Sequence, residues 1–268
     1  MENNFSIPKS ALLKEIVYSF WQVHRPNNLP MKETIIPKGI IEIIFSFETQ
    51  KIHGQINNKQ ISVPRCFVHG HNSCPVHLHI ADQQTFFGVI LHPTAVKHIL
   101  KIPPVEFVNC IIDLTIIDVS FYKLWHNLGE QKNFNNRVSF FTNWLINRLP
   151  VLTDREKAFN YFLNNHSNTS LTVSELTKRF CYSSKQLTRK LYEITGMNTE
   201  QTLLYKKYLH SIHLIHNSEL SLTEIAYICQ FYDQSHFIKT FRSLTLLTPK
   251  EYKQGKSNII GHILENVS

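Results

Sequence analysis

SLTEIAYICQFYDQSHFIKTFRSLTLLTPKEYK, residues 221–253, decides how this chain is read. SLTEIAYICQ has the length and apolar spacing of a short helix, FYD of a tight turn, and QSHFIKTFRSLT of a second helix. Ile225, Ala226 and Ile228 mark the supporting helix, and Phe237 and Phe241 anchor the next one against it. Ala226 is small where two such helices cross closely. In a helix-turn-helix the second helix enters the major groove of DNA with its first turns at the base edges. That leaves Gln234, Ser235, Lys239 and Arg242 as the positions able to face DNA, with His236 able to point either way.

The same arrangement stands upstream in LTVSELTKRFCYSSKQLTRKLYEITG, residues 171–196. Val173, Leu176 and Phe180 are the inward positions of a supporting helix, and Leu187 and Leu191 those of a second. Ser184, Lys185, Thr188 and Arg189 are left facing outward. Lys178, Arg179, Lys185, Arg189 and Lys190 place five positive charges within thirteen residues that hold no acid. Such a run suits phosphate contacts, which supply affinity, while an arginine such as Arg189 can address both acceptors of a guanine. A longer helix at about 199–216, with Leu204, Tyr208, Ile212 and Ile215 on one side, links the units. Two tandem units on one linking helix can present recognition helices to successive major grooves, about 34 Å apart. Short helices around a tight turn also suit a plain helical bundle with a basic surface.

Residues 171–254 resemble the DNA-binding domain of the AraC/XylS family, most specifically over 221–253. The resemblance implies a sequence-specific transcription regulator acting on double-stranded promoter DNA, with RNA polymerase as a partner. It implies base reading by Lys185, Thr188 and Arg189 in the first unit and by Ser235 and Lys239 in the second, and Lys178 and Lys190 join the DNA-facing set. Three glycines of the family pattern are replaced, by Cys181 and Gln230 in the turns and by Leu246 after the second recognition helix. Positions of that kind often use glycine's conformational freedom.

Upstream the pattern changes. Residues 12–25 contain LLKEIVYSFWQV, suited to a short helix or a strand. From 34 to 91 the runs TIIPKGIIEIIFSF, KIHGQI, ISVPRCFVHG, VHLHI and TFFGVIL predict strands of a small β-barrel or sandwich. LHPTAVKHILKIP predicts a helix starting at His92-Pro93-Thr94. Between 113 and 165, Phe121, Leu124, Trp125 and Leu128, then Val138, Phe141, Leu145 and Leu149, recur at helical spacing. Those helices suit packing on the β-rich domain or a dimer seam equally well. A further helix at about 154–165 precedes the polar stretch NNHSNTSLT. The expected architecture is α+β: a β-rich effector-binding or dimerisation domain with packed helices at 1–165, an all-α domain of two linked helix-turn-helix units at 166–256, and a tail at 257–268.

LPMKETIIPKGIIEIIFSF resembles the opening of a sensor-like domain that precedes this DNA-binding module in many bacterial regulators. Pro37-Lys38-Gly39 before Ile40-Ile41-Glu42-Ile43-Ile44 carries that likeness, with FVHGHNSCPVHL and FFGVILHPTAVKHILKIP. It implies binding of a small-molecule effector, homodimerisation, or both. Side chains lining a barrel, with Trp21, His77 or His79 as polar contacts, are the expected pocket. A filled interior favours a constitutive binder whose front domain only dimerises, and a nucleoid-organising role is a further alternative.

Composition is consistent with these readings. The 268 residues are 43% hydrophobic and 18% charged, as in globular chains, with a formal net charge of +8. The basic excess is even, 14 Lys/Arg against 10 Asp/Glu in residues 1–152 and again in 153–268, so its placement matters more than its sum. The first residues lack the pattern of a signal peptide, and IIPKGIIEIIFSF is too short and polar for a membrane span. Five scattered cysteines, Cys66, Cys74, Cys110, Cys181 and Cys229, suit a reducing compartment, and a cytoplasmic protein without membrane contact is expected. His69, His71, Cys74, His77 and His79 are metal-ligand types without a zinc-site spacing, so no metal or cofactor is expected. Glu42, Asp82, Glu106, Asp113 and Asp118 form no diagnostic acid pair, and no nucleotide-binding or hydrolase motif occurs. The expectation is a non-enzyme, with metal- or cysteine-dependent chemistry at Cys66 or Cys74 as the enzymatic alternative.

Overall fold

In the computed structural model the described residues are 2–26, 30–48, 52–81, 83–167 and 169–266, so Asp82 lies outside them. The chain begins β1 (Glu2–Ser6), α1 (Ala11–Lys14), β2 (Val17–Arg25), β3 (Met31–Ile35), β4 (Ile41–Ser46), β5 (Ile52–Ile56), β6 (Lys59–Val63), β7 (Cys66–His69), β8 (Val76–Ile80) and β9 (Gln84–Leu91). It continues through α2 (Pro93–Leu100), a 3-10 turn at Pro104–Phe107, β10 (Ile111–Asp113), α3 (Leu114–Ile117), α4 (Ser120–Gly129), α5 (Phe134–Ile146) and α6 (Asp154–Asn164). The helical domain holds α7 (Val173–Phe180), α8 (Ser184–Thr195), α9 (Thr199–Asn217), α10 (Leu222–Ile228), α11 (Gln234–Thr245) and α12 (Pro249–Gly255), and β11 (His262–Asn266) follows.

The strands form two antiparallel sheets rather than a closed barrel. One runs β1-β2-β9-β4-β7-β10 and the other β11-β3-β8-β5-β6. β4 shows why its sequence is almost wholly apolar: every residue of it is buried, and its alternation serves two cores. Ile41, Ile43 and Phe45 join the cluster beneath α2, α4 and α5, where Phe20, Phe45 and Phe87 surround Phe141. Ile44 points the other way, into the layer that Met31, Ile56, Phe67, Val76 and Leu78 fill between the sheets. The interior expected to hold an effector is thus occupied by side chains. Trp21 packs against that layer and spends its indole N–H on Glu42 at 2.9 Å, and His77 bonds Thr34 at 3.0 Å.

The helix starts follow from sequence. Thr153, Thr172, Ser183, Asn198, Ser221 and Thr248 each accept the N–H of a Glu or Gln three residues on, whose side chain returns the bond. Each such cap contributes about 1 kcal/mol. Cys181, Gln230 and Leu246, which replace the expected glycines, have φ of 51°, 58° and 64°, so the turns keep the left-handed conformation without glycine. Side chains there cost roughly 1–2 kcal/mol per residue. Leu246 is 67% exposed and loses little packing if removed. Leu246→Gly is expected to stabilise the chain by about 0.5–1 kcal/mol, after allowing for glycine's freer unfolded state. Thermal melting checks it: a gain of roughly 1–3 °C is expected, and an unchanged or lower midpoint counts against strain at this turn.

Two packing relations cross the boundary expected at residues 165/166. α6, upstream of it, places Phe159, Phe162 and Leu163 in one core with Leu176, Phe180, Leu187 and Leu191 of the first helix-turn-helix unit. Ile36, from the turn before β4, lies in the core of the second unit with Tyr208, Ile225, Phe237 and Phe241. Residues 257–268, set apart above as a tail, carry β11, which pairs antiparallel with β3 from His262 opposite Ile35 to Asn266 opposite Met31.

Candidate nucleic-acid interface

Each helix-turn-helix is built on a pair of packed helices. In the first, Leu176 and Phe180 of α7 meet Leu187 and Leu191 of α8, while Val173 is only half-buried. Phe159 of α6 stacks flat on Phe180 at 4.0 Å, backing the supporting helix from behind. In the second, Ile225 and Ala226 of α10 and Cys229 just after it meet Phe237 and Phe241 of α11, and Ile228 turns outward. α9 runs between them over 19 residues, about 28 Å at 1.5 Å per residue.

The inward anchors leave a polar face on each second helix. On α8, Ser184, Lys185 and Arg189 are exposed. Lys185 and Arg189 stand one turn apart on one face. Thr188 is half-buried: its hydroxyl shares a 2.9 Å hydrogen bond with that of Thr199, fastening α8 to the start of α9. On α11, Gln234, Ser235, Lys239 and Arg242 are all exposed. Asp233 caps that helix by accepting the His236 N–H at 2.6 Å, and the His236 ring lies edge-on to Phe231. His236 therefore braces the turn.

The remaining basic residues divide. Lys178 is exposed at the end of α7. Arg179 lies over the Tyr161 ring at 5.7 Å. Lys190 pairs with Glu193 at 3.1 Å, and Lys97 of α2 reaches the same carboxylate at 3.4 Å. Burial raises the Glu193 carboxyl's pKa, but the two lysines outweigh it and hold it below the usual range. Lys190 thus faces the amino-terminal domain more than a free surface. Tyr232, immediately before the α11 cap, is 91% exposed and was not singled out from sequence; its position in the turn, ahead of the apolar periodicity, gave no signal.

The amino-terminal domain grips this module at several points. Tyr208 of α9 donates its hydroxyl to the Pro37 carbonyl at 3.1 Å, and Tyr205 donates to that of Asn72 at 2.9 Å. Gly39, at φ 69°, lies so close to α9 that a Cβ would sit 2.5 Å from Leu209. The Pro37-Lys38-Gly39 turn noted in the sequence is therefore a contact to the linking helix. Lys206, buried on α9, donates to the carbonyls of Phe162 and Asn165, and burial together with Arg179 pushes its ammonium down to about 8. A cleft of about 470 Å3 opens where α1 and the start of α2 meet α6, with Lys14, His92, Asn160, Tyr161 and Asn164 on its walls.

The histidine-rich segment does not converge. His69 bonds Asn72 and lies 3.7 Å from Glu42, His71 is buried, and His77 and His79 belong to β8. Among the described residues no three His, Cys, Asp or Glu side chains are placed to share a metal ion, and no helix is long and apolar enough to cross a membrane. Cys66 is buried, its thiol pushed upward by burial and by Asp113, which disfavours the thiolate.

Residues 176–255 match the family described as a helix-turn-helix domain, and residues 6–113 match one described as a domain of unknown function, DUF6597. The HTH-type transcriptional activator RhaS of Salmonella newport is 31% identical over 99 residues, covering 37% of this chain and 36% of that protein. The same identity and coverage hold for RhaS of Salmonella dublin. The chain thus spans about a third of the length of these curated relatives. Among solved structures, ToxT from Vibrio cholerae superposes with a TM-score of 0.50 at 11% identity, covering 88% of this chain and 98% of that one, a likeness of fold.

Proposed function

Because the chain is an AraC/XylS-family protein with a β-rich amino-terminal domain, we propose that it is a sequence-specific transcription regulator whose two recognition helices, α8 and α11, read one bipartite promoter site. The observation that carries this reading is the pair of exposed polar faces on tandem helix-turn-helix units held by one linking helix. Lys185 and Arg189 address bases in one half-site, and Gln234, Ser235 and Lys239 in the other. Arg242 and Lys178 meet phosphates. Thr188 acts mainly by holding α8 on α9, as its bond to Thr199 supports, and Lys190 acts by steadying Glu193, which Lys97 of α2 also grips. The two recognition helices differ in sequence, so the site is asymmetric. Contact with RNA polymerase and the choice between activation and repression depend on where that site lies in a promoter.

Control by a small molecule fits the cleft between α1, α2 and α6 better than the filled β-sandwich, because a molecule there touches α6, whose other side packs in the core of the first unit. Homodimerisation through the helices after β10 is the second role of the amino-terminal domain, and Ile116, Val119 and Tyr122 expose apolar surface there.

Genome-wide mapping of bound sites tests the main reading. A small set of sharp sites sharing a two-part motif, with halves about one helical turn apart, is expected. Affinity for such a site is expected to fall steeply with salt, with a logarithmic slope of roughly −0.9 per phosphate neutralised. Broad, motif-free occupancy points to the architectural alternative.

A further inference from the structure

β11 leaves the second helix-turn-helix unit and becomes an edge strand of the amino-terminal sheet. Its ladder to β3 is reinforced from both sides. The Ile36 N–H donates to the Gly261 carbonyl at 2.9 Å, and Gly261 donates its own N–H to the Tyr252 hydroxyl of α12 at 2.9 Å. Ile263 is buried in the core of the second unit, while Leu264 packs on the layer between the sheets. One five-residue strand therefore belongs to two cores.

At the head of this strand His262 lies between opposite charges. Its Nδ1 is 2.7 Å from Glu33 of β3, and its Nε2 is 3.1 Å from the Lys38 ammonium. Only a neutral ring satisfies both partners, donating from Nδ1 to the carboxylate and accepting at Nε2 from the lysine. We propose that β11 is a latch released by acid: with His262 neutral it clasps the second helix-turn-helix unit to the amino-terminal sheet, and with His262 protonated it lets go.

The ring is neutral when the latch is shut because burial and Lys38 disfavour a second proton. Glu33 and the more distant Glu42 pull the other way and are outweighed, so the pKa lies below the ordinary histidine value. The other titratable groups around the site are Arg25 of β2, which acts on Glu33, Lys256, bridged to Ile263, and His216 of α9, which bonds the Tyr252 hydroxyl at 2.6 Å and is held neutral by burial, Lys256 and His213. Protonating Nε2 sets an N–H against the lysine's N–H at 3.1 Å, where a bond had been. With the folded pKa depressed, the stability this histidine contributes is full above its unfolded value of about 6.5 and is lost as pH falls below that. Glu33 and Glu42, both held below the usual carboxylate range, remain charged while this happens. Release undoes the β3–β11 ladder and leaves the second unit joined to the amino-terminal domain through the 36–39 turn, where Ile36 and the Tyr208–Pro37 bond remain.

Hydrogen exchange on the full chain at pH 7.5 and 5.0, corrected for the intrinsic rate, tests the latch. Residues 31–35 and 262–266 are expected to exchange at least tenfold faster at pH 5.0, with β4 unchanged. His262→Gln, which cannot be protonated, removes this pH dependence. Lys38→Met removes the opposing ammonium and also one partner of Glu42, so it lowers overall stability, yet it is expected to leave residues 31–35 and 262–266 as protected at pH 5.0 as at pH 7.5, and it serves if the glutamine variant folds poorly. Equal protection of 31–35 at both pH values, loosening of β4 together with β3, or acid opening that persists in both variants overturns the proposal.

Discussion

Glu42→Ala is expected to cost about 3–5 kcal/mol, the usual effect of removing one member of a buried ion pair. Its carboxylate sits inside the sandwich with three partners: the Trp21 N–H at 2.9 Å, the Lys38 ammonium at 3.6 Å and the His69 ring at 3.7 Å. Burial alone raises its pKa, but Lys38, His69 and Trp21 outweigh it and bring the pKa down to about 2. A carboxyl that depressed contributes stability above its unfolded pKa of about 4.5, lost as pH falls from there towards 2. Its share is on the order of 3 kcal/mol across that window. Glu42→Gln can keep the bond from Trp21 and is expected to lose less at pH 7. Denaturant unfolding at pH 7 and pH 3.5 checks both statements: the wild type weakens on acidification and the variants weaken less. A wild type and Glu42→Ala that melt alike at pH 7 would show the network to be idle.

Removing Arg189 and Lys239 together is expected to have the largest effect on DNA binding. The two lie on different recognition helices, share no partner and are both exposed, so each substitution by alanine leaves the fold intact. A good base contact contributes about 1–3 kcal/mol, and contacts in separate grooves add, so the double variant is expected to lose roughly 30-fold to 25,000-fold in affinity. Specificity at one base pair of each half-site should relax at the same time. Lys178→Ala should instead weaken all sequences evenly and lower the salt slope by about 1. Fluorescence anisotropy on the site mapped for the wild type separates these outcomes. Equal affinity of wild type and double variant would move base reading to other residues, with Gln234 and the exposed Tyr232 next to examine.

The helical half was legible because its signals are local. Apolar spacing and Ser, Thr, Asn or Asp caps, most of them with an acidic or amide residue three positions later, mark these helices before any long-range contact is known. The outward placement of Lys185, Arg189, Ser235 and Lys239 follows from the same periodicity. Thr188 and Lys190 lie outside that logic, because Thr188 bonds Thr199 at the start of α9 and the carboxylate that Lys190 pairs with, Glu193, is also held by Lys97 of α2. The strands were legible as strands, yet their pairing was not: β9 lies between β2 and β4, and β3 pairs with β8 and β11, arrangements that no local pattern encodes. Glu42 looked like one acid among several until the fold surrounded it with Trp21, Lys38 and His69. His262 carried no signal at all, since its partner Glu33 is 229 residues away.

The turn at 36–39 bears on modularity. Recombination that exchanged DNA-binding domains between regulators by cutting in the polar stretch near residue 166 would strand Ile36 without the aromatic residues of the second unit, and Tyr208 without the Pro37 carbonyl. It would also separate α6 from the helix whose Phe180 it stacks on. A working chimaera of this protein has to carry the Pro-Lys-Gly turn, α6 and β11 along with the two reading units. The smallest exchangeable piece is then discontinuous in sequence, and lineages that swapped only the obvious segment would have had to rebuild the joint.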